Sequence, residues 1–316
     1  MHSFIIGEND AGQRADKFIR KACPTLPQSL LYKTFRKKDV KCDGKRIPPE
    51  TILNAGSTLQ IYLPEDCFTE KKAPVISQTP LPAPDVVYED ADIAILRKPM
   101  NLPVHADDHG TEDTLIARFL QYLQEKNDYD PSKEQSFTPA LCNRLDRNTE
   151  GFVIAAKTAQ ALRFLNEKIR IGEVQKQYLC VVVGAPPKQS DIVTAYHKKL
   201  SENQAVLSET PRVGFKEIRT GYELLAQKDG FSLILVTLYT GRTHQIRVQM
   251  AALGCPILGD PRYGNMQVNI AQGQKHQLLS ACRLRFRFTE APERFLHLKD
   301  KVFSFTPQFA KQYHMD

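Results

Sequence analysis

What this 316-residue chain lacks narrows its class first. No apolar run approaches the roughly 20 residues of a bilayer-spanning helix, and Met1-His2-Ser3-Phe4-Ile5-Ile6 opens no apolar segment of secretory length. Both absences lead to the expectation of a cytoplasmic protein with no membrane partner. The seven cysteines include no C-x-x-C pair, so the sequence offers no zinc-site spacing and fits free thiols in a reducing compartment. No internal repeat is visible, which excludes a solenoid.

What is present has the balance of a globular protein, with 41% hydrophobic and 25% charged residues. The length exceeds what one core usually organises, so two domains are expected. Charge divides the chain in the same way. Residues 12–62 hold eleven Lys or Arg against four Asp or Glu, which accounts for the whole net charge of +7. A local basic excess is the electrostatic footprint of a module that meets phosphate backbones, although a small helical domain can also simply solvate itself with Lys.

Within that basic segment two helices are predicted. Phe18, Ile19 and Ala22 form one apolar stripe, and Leu30, Leu31 and Phe35 a second, with Ser29 as the N-cap of the second helix. Asp43-Gly44 between two short strands reads as a hairpin turn, and Thr58–Leu63 as a closing strand. Five prolines among residues 64–84 describe an extended linker, across which the two parts should move. This gives boundaries of 1–63, 64–84 and 85–316.

The larger part is predicted to be α+β. Strands are read at Ile93–Leu96, Phe152–Ala156, Tyr178–Val183 and Phe231–Leu238, the last two apolar on both faces and therefore central. Helices are read near Ala159–Arg170 and Thr114–Lys126. Between apolar segments lies Arg144-Leu145-Asp146-Arg147-Asn148-Thr149-Glu150-Gly151. Its single Asp stands between two cations, which lower a carboxyl pKa by about one to three units when close. Such a carboxylate is no proton donor at neutral pH; it can attack, stabilise charge, or sit idle in a surface ion pair. Gly151 is free to supply an unusual backbone angle.

That octet closely resembles the catalytic motif of the RluA family of RNA pseudouridine synthases, in which the Asp is essential. Tyr88-Glu89-Asp90 with Lys98-Pro99 and Leu102-Pro103-Val104-His105 is similar to the family's opening segment. Lys176-Gln177-Tyr178 resembles its second motif, Leu238 through Arg247 its third, and Gly259-Asp260-Pro261-Arg262-Tyr263-Gly264 follows in order. The resemblance implies a largely antiparallel central sheet with a cleft across it, and isomerisation of uridine to pseudouridine in large-subunit ribosomal RNA. It implies no cofactor and no metal. The alternatives are a noncatalytic RNA-binding or ribosome-assembly factor, or a synthase acting on transfer RNA.

By the same resemblance Asp146 is the nucleophile, acting at uracil C6 or at the sugar C1′, and Tyr178 lies over the base and takes the C5 proton. Arg242 pairs with Asp146 and keeps it ionised; its other reading is a phosphate-facing Arg at a helix start near Thr240-Gly241. Arg247 is read as contacting RNA or solvent. Substrate contacts are expected from Arg144, Leu145, Arg147, Lys176, His244, Gln245, Ile246 and Arg247. Two helices, a hairpin and a strand resemble an S4 RNA-binding domain, with Arg14, Lys33, Arg36, Lys37 and Lys38 facing RNA. The expected partner is ribosomal RNA or a pre-ribosomal particle, met as a monomer. Asn143 and Glu150 depart from the family pattern: Asn143 can still donate and accept hydrogen bonds, while Glu150 adds negative charge near Asp146. His105 and His109 are four apart, but Pro103 and Gly110 disfavour a shared helical face, so a polar loop is expected there rather than a metal site.

Overall fold

The computed structural model describes residues 1–63, 80–106, 110–201 and 204–312. Most of the proline-rich linker and Asp107, Asp108 and His109 lie outside the described residues.

Residues 1–63 form a small unit around a four-stranded antiparallel sheet. It contains β1 (His2–Ile5), α1 (Ala15–Ala22), α2 (Gln28–Arg36), β2 (Val40–Cys42), β3 (Lys45–Arg46) and β4 (Thr58–Ile61), with strand order β1-β4-β2-β3. The predicted apolar stripes are its core: Phe18, Ile19, Leu31, Val40, Leu59 and Ile61 are fully buried. Asp43 and Gly44 both take positive φ, 49° and 75°, as a two-residue hairpin turn requires. The start of α2 corrects the sequence reading. Pro27 occupies the cap position and Ser29 falls inside the first turn, because proline's fixed φ already suits helix entry.

The rest is built on one large sheet in the order β11-β10-β12-β13-β9-β14-β8-β6-β5, with β15 beside β14 and β7 beside β8. The strands are β5 (Asp85–Glu89), β6 (Ile93–Lys98), β7 (Ala140–Leu141), β8 (Glu150–Ala156), β9 (Val174–Val183), β10 (Ser190–Ser201), β11 (Gln204–Ser208), β12 (Lys216–Lys228), β13 (Phe231–Leu238), β14 (Leu279–Phe286) and β15 (Val302–Ser304). All pairings are antiparallel except β14 with β8. The two-faced apolar strands β13 and β9 are central, as their sequence predicted.

Both faces of the sheet are covered. On one, Leu96, Val153, Tyr178, Cys180 and Ile234 pack against Phe119 and Leu123 of α3 (Leu115–Glu125) and Ile246 and Met250 of α5 (Gln245–Ala252). On the other, Ile93, Ile95, Phe152, Ile154 and Phe286 meet Ala161 and Leu165 of α4 (Ala159–Arg170). Thr114 and Thr158 cap α3 and α4 by accepting from the backbone N–H groups of Ala117 and Ala161. The catalytic motif of the sequence reading falls between β7 and β8, on the rim of the face that carries Tyr178 and α5.

The two parts touch through a polar seam. Asp10, 2% exposed, accepts from both the backbone N–H and the hydroxyl of Ser136. Gln13 donates to Ser136 Oγ at 2.7 Å, Asn9 donates to Glu134 at 2.7 Å, and the Asn9 carbonyl takes the Ala159 N–H at the start of α4. These contacts join the N-terminal unit to the larger part. A buried Asp that loses its hydroxyl and amide partners is costly, so separation of the parts is opposed.

Candidate active site

The loop carrying Asp146 is held from three sides. Asn143 acts as a backbone mimic, its carbonyl accepting from Ile154 N–H at 2.8 Å and its amide donating to Phe152 O at 3.3 Å. This departure from the family pattern thus tethers the loop to β8. From below, the fully buried Lys98 donates to Pro99 O, Leu102 O and Arg147 O at 2.8, 2.8 and 2.9 Å. Three carbonyls match the three donors of an ammonium. Burial pushes Lys98 down to about 7, opposed by the charges of Asp146 and Glu150. From the side, β8 presses Gly151 at φ 125° onto the Ala281 backbone, where any Cβ would collide.

Asp146 is partly open to solvent, its side chain 27% exposed. Its partner corrects the sequence reading: Arg247, not Arg242, binds it, with Nη1 2.8 Å from Asp146 Oδ2. The same guanidinium grips Asp260 through Nε and Nη2 at 2.7 and 2.9 Å. Arg247 is 5% exposed, and so faces neither RNA nor solvent. Burial works against its charge, but the two carboxylates overrule it and drive its pKa up. For Asp260 burial raises, yet the Arg247 bonds and the Tyr263 and Arg262 amides leave its carboxyl below the usual range.

The physical reason for the exchange of arginines is a kink at His244. This residue takes φ 55° and ψ 21°, and α5 begins only after it. Arg242 is left outside the helix and exposed, while Arg247 in its first turn points inward.

Gln245 is also corrected. It is 2% exposed and wholly committed to the protein: its carbonyl accepts from Arg242 N–H and Thr240 Oγ1, and its amide donates to Arg219 O and Thr220 Oγ1. It folds the turn onto β12 and has no free group for a substrate.

Beneath Asp146 the surroundings are apolar. Leu145, Tyr178 and Ile246 are buried together in one cluster. Burial, and then the Asp146 charge, push the Tyr178 phenol up, so it stays protonated. Lys176, two residues earlier on β9, is half-buried and pushed down by burial alone. Its ammonium lies beside Gly241. Arg144 and Arg147 are exposed; Arg147 Nε donates to Asn101 Oδ1 at 3.2 Å and to Asn101 O. Glu150, half-buried at the start of β8, does not add charge freely. Burial raises its carboxyl, with Ser280, Arg97 and Lys98 opposing.

Sequence reasoning assigned no roles to Lys98, Asp260 or Tyr263, although all three lay inside motifs it quoted. In the N-terminal unit, Lys33, Arg36, Lys37 and Lys38 are exposed at the C-terminal end of α2. Arg14 is engaged with Asp16 through a two-point contact at 3.0 and 2.9 Å.

Residues 92–252 match the family model for RNA pseudouridylate synthase. The chain belongs to that family, in its RluA branch, and is an RNA-modifying isomerase. It is 30% identical to an "Uncharacterized RNA pseudouridine synthase" of Mycoplasma capricolum, across 95% of this chain and 96% of that protein. With "Ribosomal large subunit pseudouridine synthase C" of Vibrio parahaemolyticus it shares 31% identity, across 89% and 87%. Among solved structures, "Human RNA Pseudouridylate Synthase Domain Containing 4" superimposes with a TM-score of 0.56 at 19% identity, covering 73% of this chain and 93% of that one. The fold is that of the pseudouridine synthases.

Proposed function

We propose that this enzyme converts uridine to pseudouridine in large-subunit ribosomal RNA with Asp146 as the reacting carboxylate. The observation that carries this reading is the placement of Asp146: a half-exposed carboxylate fixed through one oxygen by Arg247, above the apolar floor of Leu145, Tyr178 and Ile246.

The reaction breaks the N1–C1′ bond, turns the base, and joins C5 to C1′, releasing the C5 proton. Atoms and electrons balance within the nucleotide. What the site must supply is a charge beside an electron-poor carbon, away from water, and a surface for a base taken out of its stack at a cost of a few kcal/mol. Asp146 supplies the first and the Tyr178 ring the second. Tyr178 is a neutral phenol in the resting site, so it takes the C5 proton only as its own hydroxyl proton passes to the Asp146 carboxylate, whose charge reaches it. The exposed Arg144, Arg147 and Arg242 are cations suited to phosphate.

The choice of ribosomal RNA rests on the names of relatives that match most of the chain. We further read residues 1–63 as an S4-like RNA-binding unit using Lys33, Arg36, Lys37 and Lys38, and the protein as cytoplasmic. Unmodified ribosomal and transfer RNA incubated separately with the enzyme, followed by pseudouridine mapping, test this. Discrete sites in large-subunit RNA are expected. Modification of transfer RNA alone would overturn the substrate, and no pseudouridine on any RNA would overturn the activity.

A further inference from the structure

His244, read from the sequence as a substrate contact, has a side chain only 9% exposed. It adopts left-handed backbone angles, a conformation disfavoured for a non-glycine residue, and its side chain makes no cap bond to α5. One ring nitrogen is hydrogen-bonded and the other faces a carboxylate beyond hydrogen-bond reach. Nδ1 lies 3.1 Å from Tyr263 Oη, and Nε2 lies 3.8 Å from Asp146 Oδ2. The two rings meet edge to face with centroids 5.7 Å apart.

The surroundings of Tyr263 favour one tautomer of His244. Its hydroxyl oxygen already accepts the Ala205 N–H at 2.9 Å. Its one proton is then free to go to the neighbouring acceptor, His244 Nδ1. An imidazole that accepts at Nδ1 carries its hydrogen on Nε2, and Nε2 faces Asp146. Burial, with Arg247 and Arg262, keeps the ring neutral against the opposing pull of Asp146 and Asp260.

Both donors converge on a single oxygen. Arg247 Nη1 bonds Asp146 Oδ2, and His244 Nε2 faces the same atom. Among the described residues nothing donates to Oδ1. We infer that His244 is a positioning residue: through its Nε2–H it fixes the rotation of the Asp146 carboxylate so that Oδ1 alone is presented to the uracil. The 3.8 Å separation closes to a hydrogen bond when the base fills the pocket, as active-site bonds commonly tighten in the complex. The backbone strain at His244 is stored so that the imidazole stands at this angle. The inference rests on Asp146 being the reacting group.

Three variants and one spectrum test it. His244→Leu removes the donor, His244→Gln keeps one, and Tyr263→Phe releases the tautomer. Under single turnover on ribosomal RNA, His244→Leu should slow pseudouridine formation about 30-fold with RNA affinity within about twofold. His244→Gln should recover most of that loss, and Tyr263→Phe should sit between. Independently of turnover, nitrogen-15 spectra of histidine-labelled enzyme should show the His244 Nε2–H tautomer in the wild type and a mixture in Tyr263→Phe. An Nδ1–H tautomer in the wild type, equal losses in Leu and Gln variants, or a loss explained by RNA affinity would each overturn the inference. Absence of turnover in the wild type would instead sink the functional reading, and the spectrum would still decide the tautomer.

Discussion

Arg247 holds Asp146 and Asp260 with one guanidinium, at 2.8 Å to the first and 2.7 and 2.9 Å to the second. The pair with Asp260 is buried, that with Asp146 half open, so the fold and the site share a single cation. Removing it strands a carboxylate that is 1% exposed. Loss of one partner from a buried pair costs about 3–5 kcal/mol. Arg247→Ala should therefore melt well below the wild type as well as lose turnover, whereas Arg247→Lys should fold better but misplace Asp146. The exposed Arg242 behaves differently: Arg242→Ala should keep the melting temperature and show its effect as weaker, less salt-dependent RNA binding. Thermal melting beside binding at two salt concentrations separates the two. Equal melting of both alanine variants would contradict the assignment.

Lys98 should be irreplaceable by an apolar side chain of similar length. Lys98→Met leaves one carbonyl of the site loop and two of the segment after β6 without a donor, each worth about 1–3 kcal/mol if no water reaches it. The expected result is a stability loss of several kcal/mol in urea titration and faster hydrogen exchange across residues 99–102 and 146–149. A variant with unaltered exchange would show that the loop is held by other means.

An acid-sensitive node lies away from the site. Glu89 accepts from Lys157, Lys126 and the Tyr122 hydroxyl. Burial raises its carboxyl, but these donors outweigh it and hold the pKa at about 2. A carboxyl depressed on folding adds stability that is fully present above the unfolded value near 4.5 and is lost as pH falls toward 2. Allowing for the half-exposed Lys126, about 2 kcal/mol is expected from this group. Glu89→Gln should be less stable than wild type at pH 7, and the difference should shrink below pH 4. A constant difference across that range would argue against the linkage.

The seam between the two parts should open when its buried acceptor loses both donors' target. Asp10→Ala is expected to raise proteolytic cutting between residues 64 and 84 several-fold while leaving the melting of the larger part within a few degrees. Unchanged cutting would mean that Asp10 and Ser136 do not fasten the unit.

Legibility from sequence followed the strength of the periodic signal. Strand β13 and helix α4 were read at their observed ends because one is a mostly apolar run and the other carries Leu162, Leu165 and Ile169 at helical spacing. The strands β10 and β12 were missed. Each begins with alternating or mixed burial near the sheet edge and carries many polar side chains, which resembles loop. The position of Asp146 between two buried elements was readable, because apolar segments bracket it. Its partner was not. Two arginines five residues apart in one motif look equivalent until the left-handed turn at His244 excludes the first from the helix and aims the second inward. Lys98 also hides in the sequence, since nothing local reveals that an ammonium will be fully buried among two carbonyls of its own segment and one from 49 residues away.

The most direct test of the account is single-turnover pseudouridine formation by Asp146→Asn, with wild type alongside, on an RNA that both bind. No detectable product is expected from the variant, a loss of at least about a thousandfold, with RNA affinity retained because Asn keeps the side chain's size. Product formed by Asp146→Asn at a rate near that of the wild type would contradict it.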